Sequence, residues 1–255
     1  MIKSANTTVL FASIFASMLI SVNALASDGH GDSHWGYAGH SGPEHWAEMS
    51  KEFALCGSGK EQSPVNISGA TTADLPNIQF DYQPGSLEIL NNGHTIQVNR
   101  AAGSSITVAG EKFELLQFHF HTPSENTVDG NPFPMEMHLV HKSAKGQLAV
   151  VSVFSKAGTN NAVLDKAWSH IPQHAGDKKS VASVSINAAD LLPTDRSYYR
   201  FAGSLTTPPC SEGVKWMVMK TPTEVSDNQL AKFTQIIGAN ARPVQALNSR
   251  TLAVK

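Results

Sequence analysis

The stretch that decides the fold is LLQFHFHTPSEN, residues 115–126, in which two histidines alternate with two phenylalanines. On a β-strand, residues two apart point to the same face. His119 and His121 therefore project from one face, while Phe118 and Phe120 project from the other and can bury it. Buried imidazole nitrogens need partners once water is excluded. The pair therefore indicates either a metal site or a structural histidine pair that finds its partners within the protein.

A third histidine comes from the run MEMHLVH, residues 135–141. On a strand, Glu136 and His138 share a face. Metal-bound histidines usually donate their second N–H to a carboxylate, amide or carbonyl, and Glu136 can accept in this way. Gln117, two residues before His119, can do the same. Three histidines with no fourth protein ligand leave an open coordination position, which is the arrangement of catalytic zinc.

An alternative metal site uses a carboxylate as well. The run HFHTPSE, residues 119–125, also fits the H-x-H-x3-E pattern of cupins, in which Glu125 would be a ligand. Such a mixed site would suit iron or manganese. A cupin needs a later motif, punctuated by Gly and Pro, that ends in H-x3-N, and the sequence has no match to it.

The rest of the pattern is mostly β-strand. SLEIL and TIQVN alternate around NNGH, which is typical of a hairpin turn. Further strand-like runs are SSITV, KFELLQFHFH, MEMHLVH, LAVVSVF and VKWMVM. Residues 161–171 and 226–238 have helical spacing, the second with a capping box of Ser226 and Gln229. The sequence predicts an α+β, predominantly β fold: a single large twisted, mostly antiparallel sheet with a few peripheral helices.

Composition and the N-terminus bound the cellular context. The chain has 255 residues and a net charge of -2, without a basic run, which argues against a nucleic-acid partner. Lys3, the apolar run Val9–Ile20 and the ALAS cleavage pattern predict a signal peptide over residues 1–26. The apolar run is too short to span a membrane. We expect residues 27–255 to form one exported domain that does not insert into the membrane, in the periplasm or, as the alternative, secreted.

The two cysteines, Cys56 and Cys210, allow one intramolecular pairing. An even number of cysteines in an exported protein favours a disulfide. The alternative is two buried free thiols.

Seven runs, in order, resemble blocks of the α-class carbonic anhydrases, and the resemblance extends from Trp35 to about Arg250. The runs are HWGYAGHSGPEHW, QSPVNI, NNGHTIQV, QFHFHTPSE, EMHLVH, GSLTTPPC and ARPVQ. The resemblance implies the family fold, a large twisted sheet, and reversible hydration of carbon dioxide to bicarbonate and a proton. The threonine and proline after the second histidine are similar to the bacterial and plant branch.

The resemblance also implies roles for individual residues. It assigns zinc (Zn²⁺) ligands and the groups that support them, namely His119, His121 and His138, with Gln117, Glu136 and the backbone carbonyl of Asn240. Thr206 would accept a hydrogen bond from zinc-bound hydroxide and give its own proton to Glu125. An ionised Glu125 can only accept, so Thr206 must donate to it. Without the resemblance, Thr206 would be an ordinary turn residue before two prolines.

The remaining positions belong to the expected cavity. The resemblance implies an apolar wall for carbon dioxide and a polar lining, namely Val140, Val150, Leu205, Val214 and Trp216, with Tyr37, Asn92, Gln97 and Thr207. His94 matches the proton shuttle of the family, although a lone histidine in a turn is usually only solvated.

An enzyme is expected rather than a silent binding module, because the three ligand histidines, Thr206 and Glu125 are all present. Hydrolysis of activated esters is a further activity that the same site could support. The expected partners are carbon dioxide, bicarbonate and water, with a homodimer possible.

Overall fold

The computed structural model of this chain describes residue 1 and residues 34–255. Apart from its first residue, the predicted signal peptide lies outside the described residues. Within the described part of the chain, no helix is both long and apolar enough to cross a membrane.

Strands dominate the described residues. In chain order they are β1 (Asn66–Ile67), β2 (Thr71–Thr72), β3 (Gln79–Asp81), β4 (Gly85–Asn91), β5 (Ile96–Asn99), β6 (Ser105–Val108), β7 (Glu111–His121), β8 (Thr127–Val128), β9 (Asn131–Pro132), β10 (Met135–Ser143), β11 (Leu148–Ala157), β12 (Lys178–Ile186), β13 (Tyr198–Ser204), β14 (Glu212–Met219), β15 (Thr223–Val225) and β16 (Ala253–Val254).

Thirteen of these strands form one large sheet. Its main path runs β12-β4-β5-β7-β10-β11-β14-β13-β16-β2, with β3, β6 and β15 paired alongside. Among the described strands, the parallel pairs of this sheet are β11 with β14, β11 with β15, and β16 with β2, and its other pairs are antiparallel. The predicted fold class is therefore confirmed, in the form of a large mixed sheet that is mostly antiparallel.

Helices are few and short among the described residues. They are α1 (Trp46–Met49), α2 (Leu55–Ser58), α3 (Ala162–Trp168) and α4 (Asp227–Ile237), with 3₁₀ turns at Gly39–Ser41, Lys51–Phe53 and Ala188–Leu191. The capping box predicted for α4 is present, and the helix is followed by Gly238, whose φ of 80° suits glycine. The Gln229 side chain also donates to the Asn161 carbonyl at 2.8 Å, which ties α4 to the start of α3.

The sheet buries apolar side chains on both faces. Phe118 and Phe120 belong to the larger cluster, and Phe120 contacts Trp168 of α3 and Phe233 of α4. A second cluster on the other face contains Val140, Val150, Val214, Trp216 and their neighbours. The predicted separation of phenylalanines and histidines on β7 is confirmed, since α3 and α4 pack against the phenylalanine face and the histidines lie on the other.

Two long strands were missed in the sequence. Among the described strands β12 pairs only with β4, at the edge of the sheet, and most of its side chains are exposed, so it lacks the apolar pattern. β13 contains Gly203, a residue that weakens a strand pattern. A Cβ at this position would lie 2.2 Å from Ser63 Oγ and 2.8 Å from Trp216 Cδ1, so the close approach requires glycine.

Candidate metal centre

Three histidines converge where β7 and β10 pair. The antiparallel register places His138 opposite His119, and Glu136 opposite His121. The three rings lie on one face of the sheet, with centroids 4.6 to 5.3 Å apart. One ring nitrogen from each histidine lies within 4.8 Å of the other two. The structure therefore brings the predicted metal-ligand set together.

The outer nitrogens of the two β7 histidines are occupied. His119 Nδ1 lies 2.8 Å from Gln117 Oε1, and His121 Nδ1 lies 2.8 Å from the Asn240 carbonyl oxygen. Both partners are acceptors, so each Nδ1 carries the hydrogen and each Nε2 presents a lone pair. His121 Nε2 is buried and has no hydrogen-bond partner among the described residues. Such an orphaned acceptor fits a metal ion at this point.

The third histidine is oriented by a carboxylate. His138 Nε2 lies 3.1 Å from Glu136 Oε1, which leaves His138 Nδ1 for a metal. Burial by itself would raise the pKa of Glu136, but His138 and hydrogen bonds from Ser152 and Asn126 hold that pKa below its ordinary value. The two Asn126 bonds are 2.8 Å from its N–H and 2.7 Å from its side chain. Glu136 is therefore an ionised acceptor inside the protein.

The electrostatics of the cluster favour neutral rings. Burial, followed by the neighbouring His121 and His138, lowers the pKa of His119 well below its ordinary value. Burial also lowers the pKa of His121, although the Asn240 carbonyl and Glu136 oppose that shift. A histidine must be neutral to ligate a metal. Three imidazole donors with an open position fit Zn²⁺, because zinc accepts nitrogen donors in tetrahedral geometry.

Glu125 lies beside the cluster. Its Oε2 lies 3.4 Å from His121 Nε2 and 3.8 Å from His138 Nδ1, and its Oε1 accepts a 2.9 Å hydrogen bond from the Arg242 N–H. Burial raises the pKa of Glu125 to about 7, against the lowering effects of His138, the Arg242 N–H and a hydrogen bond from Thr206. The group of mutually close ligand atoms contains the three histidines without Glu125, which is against the cupin alternative.

Known proteins share this architecture over most of the chain. Residues 41–255 match the family model for eukaryotic-type carbonic anhydrase. The chain is 47% identical over 240 residues to a carbonic anhydrase of Neisseria gonorrhoeae, covering 93% of this chain and 94% of the relative. It is 45% identical over 239 residues to a carbonic anhydrase of Pectobacterium atrosepticum, covering 92% and 97%.

A solved structure agrees with the sequence match. The α-carbonic anhydrase of Thermovibrio ammonificans, in a complex with the inhibitor sulfanilamide, superposes with a TM-score of 0.84 at 46% identity, over 86% of this chain and 98% of that one. The chain belongs to the α-carbonic anhydrase family. The resemblance seen in the sequence is confirmed, the enzyme class is that of a carbonic anhydrase, and the cupin alternative is wrong.

The predicted apolar wall of the carbonic anhydrase lies beside the histidines. Val140, Val150 and Trp216 are successive partners across β10, β11 and β14. These three side chains are buried together with Val214, and Leu205 packs against them. The Trp216 ring centroid lies 4.9 Å from that of His138. Carbon dioxide is apolar, so a wall of this kind next to the cluster suits it.

His94 lies in the turn between β4 and β5 and is half-buried. The Asn92 side chain accepts its N–H at 2.9 Å, and the Asn240 side chain donates to its carbonyl at 3.0 Å. Its ring stacks on Trp35, with centroids 3.6 Å apart and planes 7° from parallel. Burial, and then His34, lowers the pKa of the His94 ring. Asn240 thus holds this turn through its side chain and holds His121 through its backbone carbonyl.

The predicted polar positions are Gln97, Tyr37, Thr207 and Asn92. Gln97 is the β5 partner of His119, and its side chain donates to Asn99 at 2.7 Å. Burial, and then Glu125, raises the pKa of Tyr37. Among the remaining predicted positions, Thr207 is half-buried and Asn92 is exposed.

The predicted disulfide is confirmed, since Cys56 and Cys210 are bonded. Sequence reasoning missed other groups, namely Arg242, Trp35, Asn126 and Ser152. Arg242 and Trp35 lie inside runs that carried the family resemblance, so each run contained the signal without assigning a role to the residue.

Proposed function

We propose that the chain catalyses the reversible hydration of carbon dioxide to bicarbonate and a proton, with one Zn²⁺ held by His119, His121 and His138. The observation that carries the proposal is the donor set itself. Each ring has one nitrogen turned to a protein acceptor and one turned inward, in a chain of the carbonic anhydrase family. The acceptors fix the tautomers, so the inward nitrogens are the ones that carry lone pairs.

A bound zinc supplies a Lewis acid that lowers the pKa of a coordinated water to about 7, a value known for carbonic anhydrases as a class rather than obtained from this chain. The protein's own part is to orient the attacking oxygen. We assign this to Thr206 and Glu125, two buried side chains, and Thr206 is one of the groups that oppose the rise in the pKa of Glu125. Above its pKa Glu125 is ionised and accepts the Thr206 hydrogen, so Thr206 Oγ1 can only accept from the nucleophile.

Substrate binding is assigned to the apolar wall. Its side chains are Val140, Val150, Leu205, Val214 and Trp216, and we assign the half-buried Thr207 to the same pocket. They offer carbon dioxide an environment without charged groups and exclude water on that side. Because the wall also contacts His138, the carbon atom would lie next to the cluster.

Proton export is assigned to His94. Histidine is the side chain whose ordinary pKa lies nearest to neutrality, so it can accept a proton and return it to bulk solvent. The half-buried position in a turn supports this role, since part of the residue remains open to solvent. We also propose that the protein is exported to the periplasm, because a disulfide is typical of oxidising compartments.

The test is stopped-flow carbon dioxide hydration by the purified chain, with metal content measured by mass spectrometry. We expect one zinc per chain in the active protein. His138→Ala should lose zinc and activity together, whereas His174→Ala, which changes an exposed histidine, should retain both. Full activity of His138→Ala would contradict the assignment, and an inactive zinc-loaded chain would leave a silent binding module as the alternative.

A further inference from the structure

The loop that carries Thr206 is fastened to a distant part of the chain. We call residues 205–211, between β13 and β14, the gate loop, and residues 56–63 the anchor segment. At the start of the gate loop, Ser63 N–H donates to Ser204 Oγ at 2.9 Å, and Ser204 N–H donates to Ser63 Oγ at 3.1 Å. Both serines are buried. This reciprocal pair fixes where the gate loop begins.

The far end of the gate loop is held by the same segment. Gln62 Nε2 donates to the Cys210 carbonyl and to Glu212 Oε1, both at 3.0 Å. The Cys56–Cys210 disulfide adds a covalent link. Because both ends of the gate loop are attached to the anchor segment, the position of Thr206 depends on where that segment lies.

One buried guanidinium holds the anchor segment. Arg242 Nη1 donates to Gln62 Oε1 at 2.9 Å and to the Ser63 carbonyl at 2.8 Å, and its Nη2 donates to the Cys56 carbonyl at 2.8 Å. Arg242 is 2% exposed, and its charge lies 5.5 Å from the centroid of the Trp46 ring. A buried charge is costly unless it is hydrogen-bonded. These bonds therefore fix the anchor segment against the guanidinium.

The main chain of Arg242 also contacts Glu125, the proposed partner of Thr206. Its N–H donates to Glu125 Oε1 at 2.9 Å, as described above. A single residue thus holds Glu125 directly and holds the gate loop of Thr206 through the anchor segment. We propose that Arg242 is a positioning residue that sets the geometry of the Thr206–Glu125 pair. This inference rests on the proposed function, since that pair matters only if Thr206 orients the nucleophile.

The guanidinium contributes by fixing the positions of the groups that it binds. A hydrogen bond between two oxygens needs a separation of about 2.5–3.0 Å, and a misplacement of about 1 Å at a reacting group can cost on the order of 100-fold in rate. The arginine fork makes its three bonds in fixed directions, whereas a lysine ammonium is a point charge on a flexible stem. Arg242→Lys keeps the charge and the main-chain bond to Glu125 while removing the fork.

The experiment compares Arg242→Lys with Arg250→Lys as a matched control. Arg250 is also a buried arginine, 9% exposed, and among the described residues its guanidinium donates to the carbonyls of Leu247, Ala202 and Ala246. None of these carbonyls lies in the gate loop or the anchor segment. For both variants we would measure zinc content, melting temperature, kcat and kcat/KM of carbon dioxide hydration in weak buffer.

We expect Arg242→Lys to retain zinc and to lose about 10- to 100-fold in kcat/KM. Its kcat should fall less, because proton export rather than attack on carbon dioxide limits turnover in weak buffer. Arg250→Lys should lower the melting temperature without changing kcat/KM. Gln62→Met removes the hydrogen bonds by which Gln62 links Arg242 to Cys210. It should lower kcat/KM by a smaller factor, and it serves as the test if Arg242→Lys does not fold.

Three results would overturn the inference. Wild-type kcat/KM in a folded Arg242→Lys, or in Gln62→Met when the arginine variant does not fold, would show that the gate does not depend on this residue. Equal losses in the Arg242 and Arg250 variants would show a general effect of stability. A zinc-loaded wild-type chain without hydration activity would remove the proposed function, and with it the role assigned to the gate.

Discussion

A buried histidine outside the metal centre should make the protein sensitive to acid. His141 is fully buried on β10, where its Nε2 lies 2.7 Å from the Tyr82 hydroxyl and its Nδ1 lies 3.3 Å from the Ala149 carbonyl oxygen. The carbonyl can only accept, so Nδ1 carries the hydrogen and Nε2 accepts from Tyr82. Protonation of His141 would place a charge inside the protein, with its two N–H groups facing one hydroxyl and one carbonyl. Burial lowers the pKa of His141 to about 4.

The sign and size of the effect follow from linkage. The pKa of His141 is about 4 when folded and 6.5 as the ordinary value. The unfolded chain therefore binds more protons between these two values, and the free energy of unfolding falls as the pH drops below 6.5. Between pH 7 and pH 5, His141 accounts for a loss of about 2 kcal/mol. Above pH 7 its contribution is complete.

The assay is urea unfolding at pH 7 and pH 5 for the wild type and His141→Gln. The amide can accept from Tyr82 and donate to Ala149 but does not titrate in this range. His141→Gln should be less stable at pH 7, yet it should lose about 2 kcal/mol less than the wild type between the two pH values. The metal-centre histidines are the same in both proteins, so their protonation cancels in the difference. Equal losses in the two proteins would refute the assignment of the acid sensitivity to His141.

The other predictions concern the metal centre, the shuttle and the disulfide. His94→Ala should retain zinc and kcat/KM but lose kcat in weak buffer, with recovery on addition of imidazole; wild-type turnover in weak buffer would exclude His94 as the shuttle. Gln117→Ala should weaken zinc binding by about 10- to 100-fold, measured by competition with a chelator, because it leaves His119 Nδ1 without its acceptor; unchanged affinity would contradict this support. Reduction of the Cys56–Cys210 bond, which links residues 154 apart, should cost about 5 kcal/mol of unfolding free energy in denaturant titrations, and an unchanged midpoint would contradict the estimate.

Local pattern was sufficient to predict the histidine faces. Gln117, His119 and His121 have the same parity on one strand, so their shared face follows from period two alone. Glu136 and His138 are related in the same way on β10. The disulfide was predictable for a simpler reason, because two cysteines allow only one intramolecular pair.

Long-range contacts could not be predicted in this way. Arg242 is 180 positions from Gln62 and 186 from Cys56 in the sequence, and nothing near Arg242 indicates these partners. The register that places His138 against His119 is likewise a property of the paired strands rather than of either strand alone. β12 was missed because an edge strand with exposed side chains needs no apolar alternation.

A single irregularity explains how β7 serves both faces of the sheet. Its partner β10 aligns Val140 with Gln117 but His141 with Leu115, so Leu116 is an extra residue at a bulge. Leu116 is 42% exposed, while Leu115 is buried in the same cluster as Phe118. In a regular strand Leu115 and Gln117 would share a face, since a shift of one residue exchanges the faces. The bulge therefore allows apolar residues to point into the core along the whole strand, while Gln117 and the histidines that follow it face the metal centre.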